Sequence, residues 1–279
     1  MIIVYHKACL EYSELGHPES PARVGDSYQF LKDKNFEFVE PEPAQEKDLF
    51  LVHTKRLVEE VKNERILDPD TPNIKGIYNY ALLSAGGAIK AMKLALTGEK
   101  SFSLMRPPGH HAGKDFCGGF CYFNNIAIAV TKALEKVKKA AILDIDCHHG
   151  NGTENIFLGK NNVLYVSLHQ SPLYPGTGLK SQFNVFNFPL SPETTEKEYL
   201  KSLENGLEQI SDFQPDVLAI SAGFDTYKKD PITMFNLGIE TYQKIGKKIS
   251  DLNLPTFAVL EGGYSSDLPR CLYNFANNL

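Results

Sequence analysis

Asp144, Asp146 and His148, each separated from the next by one residue, are the side chains in this sequence best placed to hold a cation. They lie in Ala141-Ile-Leu-Asp144-Ile-Asp146-Cys-His148-His149-Gly150-Asn151-Gly152, a run that begins apolar and ends in carboxylates and imidazoles. Side chains two apart on a strand point the same way, so the alternation predicts all three on one side. Asp146 and His148 then offer an oxygen and a nitrogen to one point, two of the three protein ligands that a catalytic zinc site needs. An isolated Asp-x-His can equally be an N-capping carboxylate beside a hydrogen-bonded imidazole. What the other elements bring to the same place decides between them.

The apolar start of this run is the pattern of a strand in the middle of a parallel sheet, covered on both faces. Further strands are predicted at Ile2–Tyr5, Ser101–Met105, Asn162–Leu168, Val217–Ser221 and Thr256–Leu260, with the central one at Ala140–Ile145. They alternate with helical stretches starting near Ala22 behind Ser20-Pro21, and at Leu51–Glu64, Ile77–Leu96, Asn124–Val137 and Phe235–Leu252. Alternation of this kind means a layered α/β fold with a parallel sheet. Five of the strands end in a polar group: His110/His111, Asp146/His148, His169, Asp225 and Tyr264. Parallel strands bring their carboxyl ends to one edge, where open α/β sheets bind ligands. The five endings therefore read as one site, in which Asp225 completes an Asp-His-Asp set able to neutralise a divalent ion and leave positions for water and substrate. His169 and the second imidazole, His149, read as hydrogen-bonded structural residues.

The composition fits that reading. The 279 residues are 42% apolar and 23% charged, and show no repeat, low-complexity tract or flexible linker, so one domain over 1–279 is expected. A net charge of −5 gives no basic face for nucleic acid. No apolar run approaches the ~20 residues that span a membrane. The start, Met-Ile-Ile-Val-Tyr-His, lacks the regions of a signal peptide. Five cysteines without zinc-finger spacing fit a reducing compartment, and a cytoplasmic location is expected. Cys117 and Cys121, which flank Gly-Gly-Phe, read as two loop thiols rather than a redox pair.

Arg106-Pro-Pro-Gly-His-His-Ala, Gly119-Phe-Cys-Tyr-Phe-Asn-Asn-Ile-Ala, Asp144-Ile-Asp-Cys-His-His-Gly-Asn-Gly-Thr, Ser167-Leu-His, Pro175-Gly-Thr-Gly, Ser221-Ala-Gly-Phe-Asp and Glu261-Gly-Gly-Tyr occur in this order. Together they resemble the zinc-dependent histone deacetylase superfamily, nearest its class II and bacterial amidohydrolase-like branch. The resemblance implies an arginase/deacetylase-like three-layer sandwich and hydrolysis of an acetyl amide on the ε-amine of lysine. It implies Asp146, His148 and Asp225 as ligands of one zinc ion, though iron or cobalt suits the same donors. His110 and His111 match the tandem catalytic histidines, with Asp144 orienting His110, and Tyr264 matches the tyrosine that donates to the oxyanion. Gly119, Phe120 and Tyr174 match the substrate tunnel, Asp70 the loop residue that binds the substrate backbone, and Arg23 the arginine beside an inner product channel. A structural potassium ion would use Asp144, Asp146, His148, Ser167 and Leu168.

Three positions refine the expectation. Asn151 stands where class I members carry an aspartate behind the second histidine, so His111 should be harder to protonate. Gly150 stands where binuclear manganese hydrolases of this fold carry a carboxylate, so a single catalytic metal is expected. Polyamine-selective members place an acid just after the Asp-Pro that follows the third zinc ligand; here Asp230-Pro231 is followed by Ile232. Acetylated protein or peptide lysine is therefore the expected substrate. A small acetylated amine such as an acetylpolyamine is the alternative, and a non-catalytic acyl-lysine binding protein a remoter one.

Overall fold

The computed structural model describes residues 1–279. Eight strands form one sheet: β1 (Ile2–Val4), β2 (Glu37–Val39), β3 (Ser101–Ser103), β4 (Ala140–Asp144), β5 (Val163–Gln170), β6 (Val185–Leu190), β7 (Val217–Ala222) and β8 (Thr256–Leu260). Their order across the sheet is β2-β1-β3-β8-β7-β4-β5-β6, and every neighbouring pair is parallel. The inner strands are buried along their whole length, because helices cover both faces.

One face is covered by α1 (Pro21–Asp33), α7 (Glu196–Phe213), α8 (Ile239–Ser250) and α9 (Leu268–Ala276), which pack on Ile3, Leu143, Ile220 and Ala258. The other carries the short α2 (Glu46–Leu49), α3 (Lys55–Lys62), α4 (Ile77–Ala95), α5 (Asn125–Ala133) and α6 (Asn151–Phe157), on Val4, Ile142, Ala219 and Val259. Strand residues thus alternate between two apolar layers, and the architecture is the three-layer α/β sandwich with a central parallel sheet. No helix is long and apolar enough to cross a membrane.

Some boundaries differ from the sequence reading, each for a local reason. β4 stops at Asp144, because its carboxylate turns back to accept from the Asp146 amide and starts a loop. β5 runs on through His169 to Gln170, because β6 pairs with it there, so His169 lies inside a strand. β6 carries Pro189 and sits at the sheet edge, where the missing N–H costs no ladder bond. Helix α8 begins only at Ile239, behind the extended Gly238. Helix α7 is absent from the elements expected above, although its capping box, Thr195 with Glu198, is written in the sequence.

Candidate active site

Four strands that are adjacent in the sheet, β3, β8, β7 and β4, send their carboxyl ends into one place. Beyond β4 the chain folds into two successive side-chain-capped turns: the Asp146 amide donates to Asp144 Oδ1 (3.1 Å), and the His148 amide to Asp146 Oδ1 (2.8 Å). Strand pleating was the expected cause of the convergence of Asp146 and His148. These turns achieve it instead, since both residues lie outside the strand. The β7 end adds Asp225, whose Oδ1 accepts from the Cys147 amide at 2.8 Å, and the β8 end adds the Gly262 amide, which donates to Asp146 Oδ2 at 2.7 Å.

The result is a compact donor set. His148 Nδ1 lies 3.1 Å from Asp146 Oδ1 and 3.0 Å from Asp225 Oδ2. Zinc bonded at about 2.0–2.1 Å in a tetrahedron separates its ligand atoms by about 3.3 Å, so these atoms are spaced as one ion requires. Charge leads to the same conclusion, because two buried carboxylates face one imidazole. Burial alone would lower His148, but its hydrogen bonds to Asp146 and Asp225 push it up to about 10. Burial and the nearby Asp146 charge push Asp225 up to about 7. Two carboxylates beside one imidazole leave the set with negative charge that a bound cation can offset. Two carboxylates and one imidazole fit a mononuclear zinc ion and leave room for water and substrate.

The adjacent histidines are held differently. His110 Nδ1 lies 3.0 Å from Asp144 Oδ2, which also accepts from the Tyr165 hydroxyl at 2.9 Å. Burial opposes a charge on His110, but the carboxylates of Asp146 and Asp144 outweigh it and raise the imidazole to about 10. Gly150 permits this arrangement: a Cβ there would come within 2.3 Å of Asp144 Oδ2 and 2.4 Å of the Tyr165 hydroxyl. His111 Nδ1 meets the Asn151 side-chain oxygen at 2.8 Å, which places the proton on Nδ1 and leaves the Nε2 lone pair free. Burial, then the charges of His110 and His148, hold His111 well below the ordinary imidazole value.

Above these groups opens a cavity of about 230 Å³ lined by Asp70, Pro108, His110, His111, Gly119, Phe120, Asp146, His148, Tyr174, Ile232, Gly262 and Tyr264. All the residues named from the sequence as substrate-contacting fall on this lining. Gly119 has φ +54°, and a Cβ there would lie 2.5 Å from the His111 ring, so only glycine lets the loop pass so near. Phe120 packs edge-on to Tyr264 at 5.7 Å, and Tyr174 edge-on to His111 at 5.1 Å. Asp230, two residues before Ile232, spends both oxygens on the Tyr264 and Ile232 amides. Arg23 lies outside the cavity lining: its guanidinium donates to the carbonyls of Gly263 (2.6 Å) and Glu261 (2.5 Å), 4.6 Å from the Tyr264 ring centroid. Asp144 and Ser167 are register partners on β4 and β5, and the Ser167 hydroxyl meets His169 Nδ1 at 2.9 Å. His149 bonds Thr177 and Glu154, away from the donor set.

Four residues have supporting roles that the sequence does not assign them. Tyr165 and Glu19 are buried polar groups, and Glu19 binds Arg106 through both oxygens (2.7 and 2.6 Å) and Arg23 through one (3.1 Å). His53 accepts the Asn124 amide at Nε2 (2.9 Å) and meets the Gly113 carbonyl at Nδ1 (2.8 Å). Glu261 accepts the amides of Gly109 and His110. Of these only Glu261 carried a visible signal, a carboxylate directly after an apolar strand. A second cluster of possible donors, His110, Cys121 and Glu261, is a poor metal site, because burial pushes the Cys121 thiol well up and Glu261 is already engaged.

The histone deacetylase domain model matches residues 17–279. A probable deacetylase of Archaeoglobus fulgidus is 38% identical over 292 residues, covering 94% of this chain and 81% of that protein. Acetylpolyamine amidohydrolase 1 of Pseudomonas aeruginosa is 40% identical over 211 residues, covering 71% of this chain and 61% of that protein. The fold superposes on the crystal structure of an acetylpolyamine aminohydrolase from Burkholderia pseudomallei with TM-score 0.92 at 25% identity, covering 100% of this chain and 98% of that one. The HD domain of HDA15 gives TM-score 0.91 at 30% identity, covering 99% and 90%. With its motifs converging on one sheet edge and a family match over nearly its whole length, the chain belongs to the histone deacetylase family.

Proposed function

We propose that this hydrolase of amide C–N bonds is a zinc-dependent deacetylase, residues 1–279 forming one catalytic domain, that removes acetyl groups from amines borne on unbranched aliphatic stems. One observation carries the reading: the cavity flanked by Phe120 and Tyr174 ends on the Asp146/His148 donors, both histidines and Tyr264. Asp146, His148 and Asp225 would hold the ion, which would polarise the amide carbonyl and lower the pKa of a water. His111, neutral and with Nε2 free, takes the proton of the attacking water and passes one to the leaving amine. His110, kept charged by the carboxylates of Asp146 and Asp144, stabilises negative charge as it develops, and Tyr264 donates to the oxyanion. A structural potassium ion would draw on Asp144, Asp146, His148, Ser167 and Leu168, a set supported by the Asp144–Ser167 register.

Acetyl-lysine in a protein or peptide is the substrate supported by the apolar Ile232 on the cavity wall, with the acid two residues before it, Asp230, turned to the backbone. The names of several relatives support a second reading, an acetylpolyamine. The enzyme is stripped with a chelator, reloaded with zinc and assayed on an acetyl-lysine peptide and on acetylputrescine. Activity restored by one zinc per chain and a higher kcat/KM on the peptide are expected. At least about tenfold better turnover of acetylputrescine, more than ~1.4 kcal/mol in transition-state binding, selects the second reading. Activity unchanged without metal overturns the zinc assignment.

A further inference from the structure

Glu261 is fully buried at the end of β8, and both oxygens are used. Its Oε2 accepts two successive backbone amides, Gly109 at 2.7 Å and His110 at 3.1 Å, while Oε1 accepts the Ser221 hydroxyl at 3.1 Å. The His110 carbonyl in turn accepts the Thr153 amide at 3.0 Å, and its ring is bound by Asp144. The histidine is thereby fixed at its amide, its carbonyl and its ring by three different elements.

The position of Glu261 in the chain adds to this. The next residue, Gly262, donates its amide to Asp146, and Tyr264 follows two residues later. A single strand end therefore sets the histidine turn, one metal-binding carboxylate and the oxyanion donor against one another. From this geometry we infer that Glu261 is a positioning residue for the His110–His111 pair, acting through its hydrogen bonds to the turn and without contact with substrate. The inference rests on the catalytic reading of that pair.

The charge of Glu261 is dispensable for this role, whereas its acceptor is essential. A glutamine has one carbonyl oxygen, which can occupy the Oε2 position and accept both amides, while its NH₂ can donate to the Ser221 oxygen. Alanine leaves two buried N–H groups unpaired, so the turn must shift to recover bonds. Misplacement of a catalytic group by about 1 Å costs on the order of a hundredfold in rate.

The test measures kcat, KM and bound zinc for the zinc-loaded wild type, Glu261→Ala and Glu261→Gln on an acetyl-lysine peptide, with His111→Ala as reference. A fall in kcat of about thirtyfold or more is expected for alanine, at unchanged KM and zinc content, against a loss within about threefold for glutamine. Alanine at wild-type kcat overturns the inference, as does glutamine falling as far as alanine, which would assign the effect to charge. A loss that tracks missing zinc also overturns it, since the role would then be support of the metal site. If alanine fails to fold, glutamine decides alone: retained kcat supports the inference and a loss beyond about tenfold overturns it. His111→Ala at wild-type turnover would overturn the underlying reading of the site, whereas an inactive His111→Ala beside a fully active Glu261→Ala refutes only the positioning role.

Discussion

Asn151→Asp places a carboxylate where a neutral amide oxygen now meets His111 Nδ1 at 2.8 Å. Two unit charges roughly 4 Å apart at an effective dielectric of about 20 attract by about 4 kcal/mol. That is about three pKa units. Part is offset by the cost of holding the new carboxylate in a partly buried place, so a rise of about one to three units is expected. In the wild type, burial and the neighbouring charges of His110 and His148 hold His111 well below its ordinary value. Because the base must be neutral to accept a proton, the acidic limb of kcat/KM lies at low pH in the wild type and moves to higher pH in the variant. The measurement is kcat/KM from about pH 5 to 9 on an acetyl-lysine peptide, with bound metal quantified at each pH so that ligand protonation is not mistaken for base protonation. An acidic limb that stays in place, or moves to lower pH, refutes His111 as the base oriented by residue 151.

Tyr264→Phe, which removes only the hydroxyl, should lower kcat at least about tenfold with little change in KM; turnover near wild type on an acetyl-lysine peptide would remove it from the mechanism. Glu19→Gln leaves the buried guanidinium of Arg106 without its counter-charge and should destabilise the fold by about 3–5 kcal/mol, read from the denaturation midpoint. A loss under about 1 kcal/mol would show that the remaining carbonyl partners suffice. Burial lowers His53 to about 4 and keeps it neutral in the fold, while the unfolded chain takes up a proton below about 6.5. Stability contributed by His53 is thus full above that value and falls by up to about 3 kcal/mol as pH drops toward 4. His53→Gln should flatten this part of the pH–stability curve, and identical slopes for both proteins would contradict it.

Most of the candidate site was legible because its residues follow buried strands directly. An apolar run ending in Asp144-Ile-Asp146, or in Ala-Gly-Phe-Asp225, announces both the sheet and its functional edge, and alternation of strands and helices announces the layers. What could not be read is reach across the chain. Nothing local to His53 says that its ring joins Gly113 to Asn124, because that depends on which loop folds over which strand. Asp146 and His148 come together through turns rather than through the pleat, since the side chain of Asp144 ends the strand before the alternation can act. Helix α7 was hidden by its charged surface: only Tyr199, Leu203, Gly206, Leu207 and Ile210 are buried, so its apolar stripe is narrow.

The order of strands across the sheet has a consequence for synthesis of the chain. β3 and β4 follow one another in sequence yet are separated by β8 and β7, which come from the last quarter of the polypeptide. A nascent chain that has emerged as far as β6 owns two partial sheets and a gap two strands wide between them. The borders of that gap are β3 and β4, buried along their whole length in the finished fold but left there with unpaired backbone groups and no helix α8 or α9 to cover them. β7 and β8 fill the gap between them, and the same two strands carry Asp225, Glu261 and Tyr264 just beyond their ends. The chain without β7 and β8 thus leaves both strands open while it has no complete site, and filling the gap covers them as it completes the site.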